Sequence, residues 1–202
     1  KTPNATEVDE LDMEFIKIDL IPEMVHNRCF CEAGSREFVE LESVSVKALI
    51  DNRKFNENCR LYEGKVTVRF SGEPQSFDII IKLLSTNCQY DDISYGCFLN
   101  EEMFYNKMTL KLKLDIYPKC YVADMGRYGR PVIVLEDLRA AGYNHYCGKL
   151  DEDHRRLLLE AIARFHGRGI NLKESEFNVF REFYAKLSDV EGDKVDYLDE
   201  IR

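Results

Sequence analysis

The sequence predicts an α+β fold, a five-stranded antiparallel sheet crossed by one helix and followed by helices alone. Three observations predict it. Periodic segments come in the order strand, strand, strand, helix, strand, strand. The third strand, Phe77 to Leu84, is apolar except for Asp78 and Lys82, and the helix after it carries one stripe of Phe98, Glu101, Tyr105 and Met108. Beyond Leu135 the strand pattern ends and a helical period takes over.

Residues 1–37 are polar and acidic, with a short amphipathic stretch from about Met13 to Val25, and read as an N-terminal extension or lead-in helix. Phe38 to Val46 alternates in part as a first strand. The polar stretch Asp51 to Asn58 reads as a loop, and Gly64 to Phe70 alternates as a half-buried second strand. Ser71-Gly72-Glu73-Pro74 is a turn into the third strand. Ser94 is suited to cap a helix that runs to about Leu112. Cys120 to Ala123 and Val132 to Leu135 are two strands joined by a turn over Gly126 to Pro131. Asp151 or Asp153 then opens a helix whose apolar stripe is Leu157, Leu158, Ala161, Ile162 and Phe165, stopped by Gly167 and Gly169. The leucines around Leu157 are expected in the core. A last helical stretch covers about Phe177 to Leu187, and the chain from Asp189 onward is mostly polar.

Lys82 and Glu101 stand where their elements call for apolar residues. Two such charges are costly on buried faces unless they meet each other or a charged ligand. The alternatives for Lys82 are an edge-strand lysine that discourages aggregation, or a side chain that snorkels out of an apolar face.

Composition narrows the function. The chain has 202 residues and a formal net charge of -9, which argues against a general nucleic-acid binder. No run of apolar residues is long enough to span a membrane, and no signal peptide opens the sequence. The first residue is lysine, so a fragment, a processed chain or an excised domain is expected. The 7 cysteines are odd in number and irregularly spaced, so they read as reduced thiols in a cytoplasmic protein. His26, Cys29 and Cys31 have some zinc-ligand character, but no second pair has the usual spacing. Asn4-Ala5-Thr6 matches the glycosylation sequon by chance.

Four motifs in order carry a resemblance. They are the lysine in Ile79-Ile80-Ile81-Lys82-Leu83-Leu84, then Phe98, Glu101 and Tyr105 as F-x-x-E-x-x-x-Y, then Glu136-Asp137-Leu138 after an apolar strand, then Ala163, Phe165 and His166 in a helix, with Ile162 in place of a leucine. Over about residues 40–170 the chain resembles the ecdysteroid kinase-like (CHK kinase-like) family, relatives of choline kinases and aminoglycoside phosphotransferases. The resemblance implies a protein-kinase-like small lobe over 38–135, then a hinge and the start of an incomplete helical large lobe over 136–202. It implies that Lys82 contacts the alpha and beta phosphates of ATP and that Glu101 holds Lys82 by an ion pair. It implies that the backbone at Glu136, Asp137 and Leu138 hydrogen-bonds adenine, and that His166 packs near the lobe junction. The implied partners are ATP with Mg2+ and a small-molecule hydroxyl acceptor, such as a steroid or an amino alcohol, with no nucleic acid and no membrane.

Two departures stand against that pattern. The family's phosphate loop resembles G-E-N-x-x-S, and here Asn56, Glu57, Asn58, Cys59, Arg60 and Leu61 take its place. Asn56 replaces the glycine that lets backbone approach a phosphate, and Leu61 removes a hydroxyl. Nor does an H-G-D-x-x-x-x-N loop, or the aspartate-phenylalanine segment that follows it, occur before Arg202. The chain alone is therefore not expected to transfer phosphate. The competing expectation is a non-catalytic module with the kinase fold.

Overall fold

A computed structural model describes residues 5–49, 58–90, 92–144, 146 and 148–188. The chain opens with a helical layer: α1 (Ala5–Phe15), a π-helical turn (Ile16–Leu20) and α2 (Ile21–His26). Ile16, Leu20, Ile21, Met24 and Val25 recur at helical spacing and are all buried. The helix stops where Asn27 leaves helical geometry and Arg28 takes a positive φ of 62°.

The strands are β1 (Glu40–Ala48), β2 (Cys59–Arg69), β3 (Pro74–Leu84), β4 (Cys120–Asp124) and β5 (Val132–Glu136). They form one antiparallel sheet in the order β1-β2-β3-β5-β4, as the α+β reading requires. β3 is its central strand, so Lys82 is not an edge-strand lysine. β2 begins at Cys59, five residues before the expected Gly64. The charge on Arg60 hid the alternation there, because that side chain faces the helical layer and is neutralised by Asp9 at 3.0 Å. Gly64 has a steric reason to be glycine: a Cβ would come within 3.2 Å of both Ile79 and Ile81.

The sheet has two covered faces. Tyr62, Val66, Val68, Ile79, Ile81, Leu83, Val132 and Val134 pack against the N-terminal helical layer. Burying one such side chain contributes roughly 1.5–3 kcal/mol, so this face is the main core. On the opposite face Leu84, Ile133 and Ala123 meet Phe98 of α3 (Ile93–Met103). This helix continues through a π-helical turn (Phe104–Met108) into α4 (Thr109–Leu112), ending where expected at a left-handed Lys113. Its N-cap is Asp92 rather than Ser94, which lies inside the first turn. The Asp92 carboxylate accepts the Gln89 N–H at 2.7 Å, closing the turn before the helix.

After β5 a 3₁₀ turn (Leu138–Ala141) ends at Gly142, whose φ of 89° suits glycine. Two helices follow, α5 (Glu152–Ser175) and α6 (Phe177–Lys186). Asp151 caps α5, accepting the His154 N–H at 2.9 Å. Gly167 and Gly169 do not stop this helix, which runs to Ser175. Neither takes a positive φ, and a helical glycine costs only about 1 kcal/mol. The expected core leucines are likewise corrected: Leu157 and Leu158 are 57% and 49% exposed, and Ile162 and His166 are exposed too. The inward stripe is narrower, comprising Ala161, Phe165 and Leu172, because α5 packs chiefly on α4, α6 and the π-helical turn before α4. Phe165 packs on Phe104 with ring centroids 6.4 Å apart. Asn100 of α3 and Ser188 exchange two hydrogen bonds at 2.8 and 3.0 Å, which draws the end of α6 back to the sheet-covering helix.

Candidate functional site

β3 and α3 bring Lys82 and Glu101 together. Alternation along β3 points Ile79, Ile81 and Leu83 into the helical layer and turns Lys82 to the other face, where α3 crosses. The Lys82 ammonium donates to Glu101 Oε2, and the two form an ion pair. Each side chain keeps 26% of its surface exposed. The pair is thus partly open rather than buried, and an incoming anion can reach it. The Phe98 ring supports the ammonium, with 5.6 Å between Nζ and the centroid. Tyr105, one turn beyond Glu101, has its phenol pushed up to about 12 by burial and by the Glu101 charge. Burial also raises the Cys59 thiol, against the pull of Lys82.

The residues after β5 form a second, separate cluster. Glu136 is the last residue of β5, and its N–H donates to Lys119 O at 2.8 Å. Asp137 is buried and its N–H donates to Asp78 O at 3.0 Å. The Asp137 carboxylate accepts from Arg139 Nε at 2.9 Å and Nη2 at 2.6 Å, and these bonds hold it below the usual carboxylate range. Arg139 Nη2 also donates to Glu63 Oε2 of β2 at 2.7 Å, and Lys47 of β1 reaches the same carboxylate. Leu138 O accepts the Tyr143 N–H at 3.1 Å.

A cleft of about 540 Å³ lies against this cluster, lined by Lys47, Glu63, Lys65, Asp78, Asp137 and Arg139 among others. Lys82 is not in its lining. Asp78 and Lys82 nevertheless point to one face of β3, four residues apart, which is about 13 Å at roughly 3.3 Å per residue. Cleft and lysine therefore lie along one strand on one face of the sheet. The cleft-lining Glu63 and Arg139 escaped the sequence reading. The only signals for them were a charge directly before the predicted second strand, Gly64 to Phe70, and another directly after Glu136-Asp137-Leu138.

Asn56 and Glu57 fall outside the described residues, as does the acidic stretch from Asp189 to Asp199. Asn58 is described: its carbonyl accepts the Ser85 N–H at 2.7 Å and its amide donates to Ser94 Oγ at 3.3 Å. The base of the loop between β1 and β2 is thereby fastened to the start of α3. No group of three His, Cys, Asp or Glu side chains able to hold a metal ion occurs among the described residues, and His26, Cys29 and Cys31 are not gathered into one. No helix among them is long and apolar enough to cross a membrane.

The model of the ecdysteroid kinase-like family matches residues 61–197, more than half of the chain. The chain belongs to that family. Membership carries a kinase-like phosphotransferase fold, in keeping with the five-stranded antiparallel sheet and its crossing helix. The family match begins inside β2, so the helical layer and β1 lie outside it while sharing its core. No curated protein and no solved structure matches the chain.

Proposed function

We propose that this chain is the ATP-binding part of a small-molecule kinase. In this reading residues 38–135 are the small lobe and residues 136–202 are the hinge and the start of a helical large lobe. The observation that carries it is the ion pair between Lys82 of the central strand and Glu101 of α3, in line with a cleft lined by Asp137 and Arg139. ATP would lie along β3, with its base in the cleft and its phosphates at Lys82. The volume suits a small-molecule site.

Each residue then has a physical task. Lys82 donates to phosphate oxygens and offsets their charge, and Glu101 holds the ammonium in place when ATP is absent. The Asp137–Arg139 clamp fixes the backbone that would meet adenine. Asp137 N–H and Leu138 O are already engaged within the protein, so adenine would use the remaining polar groups of this segment. Mg2+, bound with ATP, would supply positive charge that offsets the charge of the phosphates. The described residues offer no cluster to hold it, so in this reading its ligands and the aspartate that orients the acceptor lie outside the described residues. The acceptor would be a hydroxyl of a steroid-like or amino-alcohol-like molecule.

A second reading, a non-catalytic nucleotide-binding or partner-binding module, is favoured by one observation. Leu61, which stands where the family's loop has serine, is the register partner of Lys82 and puts an apolar side chain beside the expected phosphates. Calorimetric titration with MgATP, together with hydrogen exchange, tests the main reading. Saturable binding that protects residues 61–65 and 133–138 supports it. Absence of heat and of protection at millimolar MgATP would overturn it.

A further inference from the structure

On the sheet face away from Lys82, α1 inserts a carboxylate where packing alone would favour a leucine. Asp12 is only 4% exposed. Its Oδ2 accepts the Tyr62 hydroxyl at 2.7 Å, its Oδ1 accepts Arg130 Nη1 at 2.6 Å, and Arg60 Nε lies 4.0 Å away. Arg60 also donates to Asp9 at 3.0 Å, one turn earlier on α1. Arg130 Nη2 donates to Leu84 O at 2.6 Å. A buried carboxylate of this kind contributes little to stability over a well-packed apolar residue, and removing one of its partners is costly.

The position of this network gives it a different significance. Arg60 and Tyr62 flank Leu61, and Leu61 is the register partner of Lys82. Leu84, whose carbonyl Arg130 holds, is two residues beyond Lys82 and pairs with Cys59. The network therefore grips β2 on both sides of the Leu61–Lys82 rung and β3 on one side, at Leu84, from behind. It also sits at the end of the sheet where β2 begins, within the stretch Asn56 to Leu61 that takes the place of the family's phosphate loop.

We propose that Asp12 is a positioning residue of the nucleotide site: through Arg60, Tyr62 and Arg130 it fixes the height of Lys82 and the base of the β1–β2 connection without touching ligand. The helical layer is on this account part of the nucleotide-binding apparatus, although it lies outside the family match. The inference rests on the ATP reading above.

The test compares wild type, Asp12→Asn, Tyr62→Phe and Lys82→Met, with Asp12→Asn also placed in the Lys82→Met background. MgATP affinity is read by calorimetry and local opening by hydrogen exchange. Asp12→Asn is expected to weaken MgATP binding about five- to tenfold, to speed exchange over residues 58–62 and 82–85, and to leave α5 unchanged. In the Lys82→Met background the same substitution should change affinity by less than about twofold, because its effect passes through Lys82. Tyr62→Phe keeps the ring and loses only the hydroxyl, so it carries the test if Asp12→Asn does not fold, with a smaller loss in the same direction. A lower melting temperature with unchanged affinity would make the network merely structural and overturn the inference. An equal loss with and without Lys82 would overturn it too. Failure of wild type to bind MgATP is a distinct result, which removes the ATP reading and this inference with it.

Discussion

Replacing Lys82 by methionine removes one charge and keeps a chain of similar length against Phe98. Both members of the Lys82–Glu101 pair are one-quarter exposed, so water screens their attraction and the pair contributes about 1 kcal/mol or less to stability. Methionine preserves most of the stem packing, and Glu101 is open enough to hydrate once alone. The melting temperature should fall by only about 2–4 °C for a chain of this size. Nucleotide binding should suffer far more. A hydrogen bond to a charged phosphate is worth about 1.5–3 kcal/mol, which is roughly a 10- to 150-fold rise in the Kd for MgATP. Calorimetric titration beside a thermal melt separates the two effects. A Lys82→Met protein that binds MgATP as wild type does would refute the role given to Lys82. A variant that unfolds would instead refute the claim that the pair is marginal to the fold.

Three further outcomes follow from the same geometry. Phe98→Ala should cost about 3–5 kcal/mol in a urea titration, because the ring is fully buried between α3 and the sheet; a loss below about 1 kcal/mol would mean that α3 does not pack there. Arg139 holds the Asp137 carboxyl below its ordinary 3.8, so the stability this clamp supplies is complete above that pH and is lost as pH falls through the lowered value. Asp137→Asn should therefore flatten the acid limb of a stability-pH curve, and an unchanged limb would place the acid sensitivity elsewhere. Cys97 is exposed, whereas burial pushes the Cys120 thiol up to about 12. Mass mapping after iodoacetamide treatment at about pH 8 should find Cys97 labelled well before Cys120, and equal labelling would contradict the burial of β4.

What could be read from residues alone depended on whether a residue's partner was close in sequence. β3 and α3 were legible because each carries its own period, and Lys82 and Glu101 stood out as charges that broke it. The start of β2 was hidden because Arg60 looks like loop until Asp9, 51 residues away, is seen to neutralise it. The glycines of α5 read as stops, but a helix held at Phe165 and Leu172 tolerates them. Its leucines read as core because amphipathic spacing reports a stripe and not what lies against it. The clamp of Asp137, Arg139 and Glu63 was illegible for the same reason as Arg60: it joins the segment after β5 to β2, 76 residues earlier.

The π-helical turn at Phe104–Met108 sits between two halves of one helix that face different neighbours. Glu101 looks to the sheet, while Phe104, Lys111 and the chain just beyond look to α5 and its end. A wider turn lodges one residue more than a regular helix needs, and each residue is worth about 100° of rotation. Because the wide turn absorbs that residue, its loss would let the turn close to a regular helix with Glu101 still aimed at Lys82 and Leu112 still buried. The turn thus acts as slack in the helix: one residue is taken up there while the ion pair on one side and the contact with the following helices on the other both keep their aim. The same deletion made within α4 meets no such slack and would rotate the chain after it by about 100°, away from its contact with α5.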